Sequence, residues 1–283
     1  MPTINILQTY YKDEQISRLD SAFTPYNVTQ NHAPHLREFP LYFDLFRDNK
    51  HKENDYTGIF SYKFNIKAKI SGETFISFVR NNPGFDAYFI NPYPQLSYLS
   101  YNIWEQGEYF HPGIKKLSDR LFSQSKYPAR TNTHGRDTHE CLIYSNYWIG
   151  NDKFWDRYIS FLLKMHEATS VSKPKDTNPY LKETPYINPA PMYPFIFERL
   201  FTTFIKNEAD LKYLPYPHTH EEIRACCNSV AELAIYDNIH ETIDCWDSEK
   251  SYNSERRAVF MSLLSSTAEY EKLMSKLGTH PFI

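Results

Sequence analysis

The spacing of hydrophobic and polar residues changes along the chain, and each change marks a predicted element. Four short runs are rich in β-branched or aromatic residues and are bounded by polar residues, Gly or Pro, which is typical of strands. These runs cover Thr3–Thr9, Asp55–Phe64, Phe85–Ile90 and Cys141–Gly150. Asn-Pro follows the third run, and because Pro cannot continue a central strand, the chain must leave the sheet there.

Between these runs, apolar residues recur every three or four positions, which predicts helices. Ser71 and Asn151 precede two such segments and are suited to accept hydrogen bonds from the first turn as N-caps. The predicted helices cover residues 14–19, 36–46, 72–80 and 114–123, a segment that begins after Asn151, and residues 195–206. Strands that alternate with helices favour an α/β fold with a mixed central sheet.

The last part of the chain differs in composition from the rest. Residues 216–283 contain few aromatic residues and hold six basic against eleven acidic ones. Helical spacing extends from Thr219 or His218 to about Trp246, and from Ser254 to about Leu277, where Gly278 ends the pattern. We therefore predict an α/β domain over 1–215 and a C-terminal helical hairpin over 216–283. Its apolar stripes either pack as ordinary core or form an interface, which makes a homo-oligomer a candidate.

Composition excludes some function classes. The net charge is −3, so no global field attracts nucleic acid. No run approaches the ~20 apolar residues of a membrane span, and the N-terminus lacks a basic region followed by an apolar one. We therefore expect a cytoplasmic protein, with association at the inner face of the membrane left open. Aromatic residues make up 17% of the chain, which suits binding of carbohydrates or nucleotides.

Residues 84–113 mix aromatic rings with hydrogen-bonding groups after the predicted Phe85–Ile90 strand. Asn102, Gln106 and His111 supply polar groups between the rings, as in the lining of a pocket for a polar, ring-shaped ligand. The alternative is an aromatic-rich loop that packs on the sheet and satisfies its own polar groups. No glycine-rich phosphate loop and no dinucleotide fingerprint accompany this stretch.

Glu198 occupies an unusual position on the predicted helix 195–206. At 100° per residue it lies at the margin of the apolar face, whereas Arg199 projects from the opposite side. A carboxylate beside phenylalanines needs a partner or a ligand, although a salt bridge or a helix N-terminal effect explains it as well. The set His218, His220, His240 and Cys245 has no zinc-binding spacing, so no metal site is predicted.

The order of several motifs resembles that of bacterial glycosyltransferase-like proteins from capsule and lipopolysaccharide loci. More distantly, it resembles capsular polysaccharide synthesis proteins that pair a tyrosine-glycine strand with a later Glu-Arg-Leu helix. The resemblance extends over about residues 4–205. It rests on Ile6–Tyr11 with Phe23–Asn27, Tyr56–Phe64, Asp86–Phe89, Trp104–Gly107 with His111–Gly113, Ser145–Trp148 and Phe197–Phe201.

The resemblance implies a GT-A-type nucleotide-sugar transferase, which moves a hexose or pentose from a nucleotide sugar to a glycan or lipid-linked glycan. Such folds usually hold Mg²⁺ or Mn²⁺ with an Asp-x-Asp motif, which this sequence lacks, so the cofactor stays open. Asp86 is the best single substitute, with Asn91 beyond it. Without a metal ion, Lys63 and Arg80 are candidates to bind the diphosphate.

The resemblance also implies roles for the remaining candidate residues. Glu198 or His111 would act as the general base, with Asp86 beside the donor. Nucleotide binding would fall to Gln8, Tyr10 and Asn27, and sugar or acceptor binding to Trp104, Gln106, Asn146 and Arg199. Two alternatives stay open: a sugar- or polyol-phosphate transferase of capsule synthesis, and a non-catalytic glycan-binding protein. The hypothesis requires positions 86, 106, 111, 146 and 198 to surround one cavity.

Overall fold

A computed structural model describes residues 1–170, 177–184 and 190–276. Within them, six strands form one mixed sheet in the order β2-β1-β3-β5-β4-β8, and β5 alone runs antiparallel to its two neighbours. The strands of this sheet are β1 (Ile4–Tyr10), β2 (Thr24–Asn27), β3 (Tyr56–Ser61), β4 (Ala87–Phe89), β5 (Trp148–Gly150) and β8 (Tyr213–Pro215). The predicted α/β class with a mixed central sheet is confirmed. A separate pair joins β6 (Glu183–Thr184) to β7 (Ala190–Pro191).

The sheet has one edge at which several strands end together. Because β1, β2 and β3 are parallel, their last residues Tyr10, Asn27 and Ser61 lie at this carboxyl edge. Strand β4 ends there too, and the antiparallel β5 begins there. Gly58 allows β3 to approach β5 closely, since a Cβ at this position would collide with the Trp148 carbonyl.

Helices cover both faces of the sheet. The larger core lies against α1 and α5–α8, and the smaller one against α2 and α3. Adjacent strand residues point to opposite cores, as Ile59 and Phe60 do. The helices of these layers are α1 (Phe39–Arg47), α2 (Phe64–Ala68), α3 (Gly72–Asn81), α4 (Leu96–Leu99), α5 (Ile103–Phe110), α6 (Ile114–Gln124), α7 (Asp152–Ser170) and α8 (Met192–Asn207).

The C-terminal helices pack on the α/β domain through a small core of their own. They are α9 (His220–Cys226), α10 (Val230–Glu249) and α11 (Ser254–Lys276). Tyr236 of α10 and Phe260 of α11 meet Tyr98 of α4 in this core. Arg136 forms an ion pair with Asp247 and strengthens the contact. The predicted helix end at Leu277 and Gly278 lies outside the described residues, and the division at residue 215 stays a prediction.

Several predicted elements differ from the structure. The helix predicted from residue 219 to about 246 is two helices, α9 and α10. The Ser229 side chain accepts a hydrogen bond from Glu232 N and thereby caps the start of α10. The strand predicted over Cys141–Gly150 is confined to its last three residues. Asn102, which the sequence places among the polar groups of a pocket lining, caps helix α5 and accepts from Trp104 N and Glu105 N. Within the described residues, no helix combines the length and apolar composition needed to cross a bilayer.

Candidate functional site

A cleft of about 510 Å³ opens at the carboxyl edge of the sheet. Segments that are distant in sequence contribute to it: the end of α2, helices α5 and α8, the turn before β5, and the α9–α10 junction. This location follows the general rule that open α/β sheets bind ligands beyond the carboxyl ends of their strands. The lining residues include Ile66, Lys67, Lys69, Tyr93, Gln106, Phe110, His111, Tyr144, Ser145, Phe195, Glu198, Arg199, Cys226, Asn228 and Glu232.

Glu198 presents a fixed carboxylate to the cleft. Its Oε1 accepts a hydrogen bond of 2.8 Å from Ser145 N, and its side chain is 28% exposed. Ser145 and Asn146 both adopt left-handed backbone, with φ of 60° and 52°. Such geometry is strained for residues other than Gly and persists where the surroundings hold it in place. The turn before β5 therefore orients the carboxylate.

Arg199 lies behind Glu198 and is 2% exposed. Its guanidinium donates to the carbonyls of Ile103 and Phe195 and, over 2.6 Å, to Gln106 Oε1. The Arg199 side chain therefore packs against α5 and does not project into solvent. Helix α8 is buried on nearly all of its sides. Arg199 holds α5 and α8 together and places Gln106 in the wall of the cleft.

His111 also lines the cleft, stacked on Phe195 with ring centroids 3.8 Å apart. Burial lowers its pKa to about 3, and the nearby positive charge of Arg199 contributes. The imidazole is therefore neutral at neutral pH. Because its pKa is so low, the His111 imidazole is a weak base and is poorly suited to take the proton of a hydroxyl group.

Two lysines from the α2 end bring positive charge to the cleft. Lys67 donates from Nζ to Ser145 Oγ over 2.9 Å, and Nζ lies 5.7 Å from the centroid of the Tyr93 ring. Half-buried Glu38 is close enough to interact with this charge. The pKa of Glu38 is raised, chiefly because of burial, and the negative charge of Glu198 adds to the increase, whereas the positive charge of Lys67 partly opposes it. Neither Lys67 nor Glu38 was among the predicted site residues.

The α9–α10 junction supplies another part of the lining that lies outside the predicted site residues. Glu232 is 4% exposed, and its Oε2 accepts from Asn228 N over 2.6 Å and from Gln95 Nε2 over 3.3 Å. The first of these bonds exists because Ser229 breaks the helix and turns the Asn228 N–H toward the next turn. A carboxylate three residues after a capping Ser was the sequence signal for this arrangement.

Four predicted residues meet in the cleft, namely Gln106, His111, Glu198 and Arg199. The other nine predicted residues are not among its lining residues. Asp86 stands at the start of β4, away from the carboxyl edge, where it accepts from Lys212 N, Lys153 Nζ and Asn151 Nδ2. Burial opposes ionisation, but these hydrogen bonds lower the pKa of Asp86. Trp104 is fully buried in the core, donates to Thr203 Oγ1 over 3.1 Å and is not among the lining residues of the cleft.

The predicted nucleotide-binding residues are spread over the sheet and its surroundings. Gln8 is buried and accepts from Asp20 N through Oε1. Tyr10 and Asn27 end β1 and β2, at the edge that carries the cleft but outside its lining. Lys63 is exposed after β3, and Arg80 lies in the last turn of α3 with Nη1 3.8 Å from Glu73 Oε1.

Asn91 and Asn146 flank the cleft without lining it. Asn91 follows β4 and accepts from Tyr93 N over 3.0 Å, which fixes the turn that carries the Tyr93 ring. Asn146 is 6% exposed and follows Ser145, and its carbonyl accepts from the Tyr42 hydroxyl. Both residues thus support the backbone beside the cleft.

The cleft residues do not fit a divalent cation. Such an ion needs several oxygen ligands that converge on one point. Glu198 and Glu232 already accept from backbone N–H groups, and Lys67, Lys69 and Arg199 bring positive charge to the same space. Within residues 1–170, 177–184 and 190–276, no three His, Cys, Asp or Glu side chains are grouped so that they could hold a metal ion.

Comparison with known proteins assigns the chain to no family. No family model matches the sequence, and no curated protein matches it. Among solved structures, the chain is similar to one described as a WbbM bifunctional glycosyltransferase in its apo form, with a TM-score of 0.46 and 14% sequence identity. The similarity covers 75% of this chain and 44% of that one, so this chain spans less than half of its length. The chemistry of the cleft is therefore what bears on function.

Proposed function

We propose that the chain is a glycosyltransferase that moves a sugar from a nucleotide-sugar donor to a glycan acceptor in surface polysaccharide synthesis. The observation that carries the proposal is the convergence of Gln106, His111, Glu198 and Arg199 on one cleft. These residues come from two stretches of sequence almost a hundred positions apart. The sheet order, with one antiparallel strand among parallel ones, is compatible with a GT-A-type fold.

The lining of the cleft supports a sugar ligand. Tyr93, Phe110, Tyr144 and Phe195 supply flat apolar faces, and the amide and carboxylate groups between them can bind hydroxyls. Lys67 and Lys69 supply the positive charge that a donor diphosphate needs in the absence of a fitted metal site. These two lysines take the place of Lys63 and Arg80, which lie outside the cleft.

Glu198 is the general base of the proposed reaction in a transfer that inverts the anomeric centre. It takes the proton of an acceptor hydroxyl while the hydroxyl oxygen forms a bond to the anomeric carbon. The bond from that carbon to the diphosphate breaks, and its electron pair leaves with the diphosphate, whose charge Lys67 and Lys69 neutralise. The low pKa of His111 makes it the weaker candidate.

The partners of the proposed enzyme are a nucleotide sugar and a glycan or lipid-linked glycan. Such donors belong to the cytoplasm, and a lipid-linked acceptor would bring the protein to the inner face of the membrane. Association of two copies through the C-terminal helices stays a prediction, which sedimentation of the full chain checks.

Replacement of Glu198 tests the proposal directly. The purified chain is incubated with a panel of nucleotide sugars and glycan acceptors, with and without Mg²⁺ or Mn²⁺, and nucleoside diphosphate release is measured. We expect Glu198→Gln to lower the rate by a factor of at least about 100, because loss of a general base costs 10²–10⁴-fold. The exposed Glu241 provides the control, Glu241→Gln, which keeps the wild-type rate.

Two outcomes would contradict the proposal. If the wild-type chain neither binds nor consumes any nucleotide sugar, the glycosyltransferase assignment fails. Release of a nucleoside monophosphate in place of the diphosphate would identify a sugar- or polyol-phosphate transferase instead.

A further inference from the structure

The turn before β5 connects two charged groups of the cleft through one residue, Ser145. Its hydroxyl oxygen accepts a hydrogen bond of 2.9 Å from Lys67 Nζ, and its backbone N–H donates to Glu198 Oε1 over 2.8 Å. All three residues line the cleft. Ser145 therefore joins the lysine that the proposed function assigns to the donor diphosphate to the carboxylate that it assigns as the general base.

The Ser145 hydroxyl still has a hydrogen to donate. A hydroxyl group has one donor hydrogen and two acceptor lone pairs, whereas an ammonium group can only donate. The contact with Lys67 therefore uses a lone pair of Ser145 Oγ and leaves the O–H hydrogen. In the part of the chain that the structure describes, no acceptor lies within hydrogen-bond range of this hydroxyl. The hydrogen is therefore available to a ligand in the cleft.

The position of Lys67 indicates which kind of ligand atom would accept this hydrogen bond. Lys67 Nζ lies 2.9 Å from Ser145 Oγ and 5.7 Å from the centroid of the Tyr93 ring. Cys226 Sγ contacts the backbone of the same lysine, 4.0 Å from its carbonyl oxygen. The ammonium group is thus held beside the hydroxyl. A ligand oxygen that approaches both groups is favoured most if it is negatively charged, because hydrogen bonds to ionised groups are roughly twice as strong as those between neutral groups.

We propose that Ser145 binds the donor diphosphate directly: its hydroxyl donates to a phosphate oxygen beside Lys67, while its backbone N–H holds Glu198. Ser145 then sets the position of the leaving group relative to the general base. This inference deepens the proposed function and rests on it for the identity of the donor, but binding of a nucleoside diphosphate at Ser145 can be measured without any transfer reaction.

The backbone at Ser145 makes it possible to remove the hydroxyl alone. Ser145 has a φ of 60°, in the left-handed region that glycine adopts without strain. Ser145→Gly therefore removes the hydroxyl, keeps the N–H that donates to Glu198, and relieves backbone strain. Asn49 has a φ of 55° and is exposed just after α1, outside the lining of the cleft. Asn49→Gly is the matched control, since it makes the same backbone change away from the site.

Calorimetry of the full chain with UDP, GDP and CDP, in the absence of divalent cations, measures the effect. For the nucleoside diphosphate that binds the wild type, we expect Ser145→Gly to weaken binding by a factor of at least about 10. The reason is that a hydrogen bond to a charged group contributes about this much to an affinity. We expect Asn49→Gly to bind the same nucleotide as the wild type does.

A second variant separates direct contact with the ligand from an effect through Lys67. Lys67→Met removes the ammonium group and keeps most of the length of the side chain, while Lys69 still supplies positive charge to the cleft. Ligand-observed phosphorus NMR follows the weaker affinities of these variants. If Ser145 contacts the diphosphate itself, Ser145→Gly weakens binding again when it is added to Lys67→Met. If the hydroxyl only positions Lys67, the added substitution has no further effect, and the inference is overturned.

The remaining outcomes also decide the inference. It is overturned if no nucleoside diphosphate binds the wild type, or if Ser145→Gly binds as the wild type does. In the latter case, sugar transfer that still depends on Glu198 would leave the proposed function intact. Conversely, Ser145-dependent binding of a nucleoside diphosphate without transfer to any acceptor would remove the proposed function and leave the diphosphate site standing.

Discussion

At the scale of single residues, the cleft depends on how tightly Arg199 is held. Its guanidinium occupies the space where a side chain at position 107 would be, because a Cβ on Gly107 would lie 2.5 Å from Arg199 Nε. The glycine thus allows the arginine to reach Ile103 O and Gln106. Neither residue alone defines the wall of the cleft, since each fits only in the presence of the other.

Gly107→Ala should therefore disturb both stability and activity. The added methyl group forces Arg199 to move, and overpacking of this kind costs about 1–3 kcal/mol. Urea unfolding measures the loss of stability, and nucleoside diphosphate release measures the effect on the cleft. Tyr109→Ala, at an exposed position of the same helix, is the control for stability. Wild-type stability in Gly107→Ala would mean that Arg199 adapts without loss.

At the scale of elements, the position of Glu232 in the cleft depends on the break between α9 and α10. A continuous helix from 219 to 246 would leave no irregular backbone at Asn228, and its N–H could not reach Glu232. Ser229 produces the break by accepting a hydrogen bond from Glu232 N at the start of α10. The cap and the cleft carboxylate are thus parts of one local structure.

Two serine caps on different helices separate the effect on stability from the effect on activity. Ser229→Ala and Ser71→Ala each remove the hydroxyl that accepts from the first turn, at a cost of about 1 kcal/mol in free energy of unfolding. We expect only Ser229→Ala to slow nucleoside diphosphate release in the proposed reaction as well, because Ser71 caps α3, which contributes nothing to the cleft lining. Equal effects of both variants on this rate would contradict the role given to the α9–α10 junction.

At the scale of the whole molecule, burial of histidines makes the folded state sensitive to acid. His111 has a pKa of about 3 and His218 of about 4 in the folded protein, chiefly because burial disfavours the charged imidazolium. In the unfolded chain both bind a proton near pH 6.5. Their contribution to stability is therefore fully present above pH 6.5 and is lost as the pH falls from 6.5 toward the folded-state values.

His111→Asn should reduce this pH dependence. Each group that titrates only in the unfolded state changes the free energy of unfolding by at most about 1.4 kcal/mol per pH unit. Urea unfolding between pH 7 and pH 5 gives the slope, which we expect to be smaller in His111→Asn than in wild type. An unchanged slope in His111→Asn would show that the imidazole is not shielded from protons in the folded state.

Local interactions made much of the fold predictable. Ser71 and Asn151 cap α3 and α7 as expected, because a cap needs only a side chain and the backbone a few positions later. The predicted bounds of strands β1, β3 and β4 agree with the structure to within a few residues. Short apolar runs bounded by polar residues and Pro are typical of buried strands. Glu198 and Arg199 were singled out because helical periodicity makes a charge beside phenylalanines conspicuous.

The sequence by itself thus determined the α/β class, the caps at Ser71 and Asn151, and the four predicted residues that line the cleft. Only the tertiary structure decided the rest, because strand direction and packing between distant segments leave no local signal. Strand direction placed Asp86 at the start of β4, at the wrong end for the cleft, and packing buried Trp104 in the core. Packing of the C-terminal helices on α4 brought Glu232 beside Gln95, a contact across 137 positions of the chain.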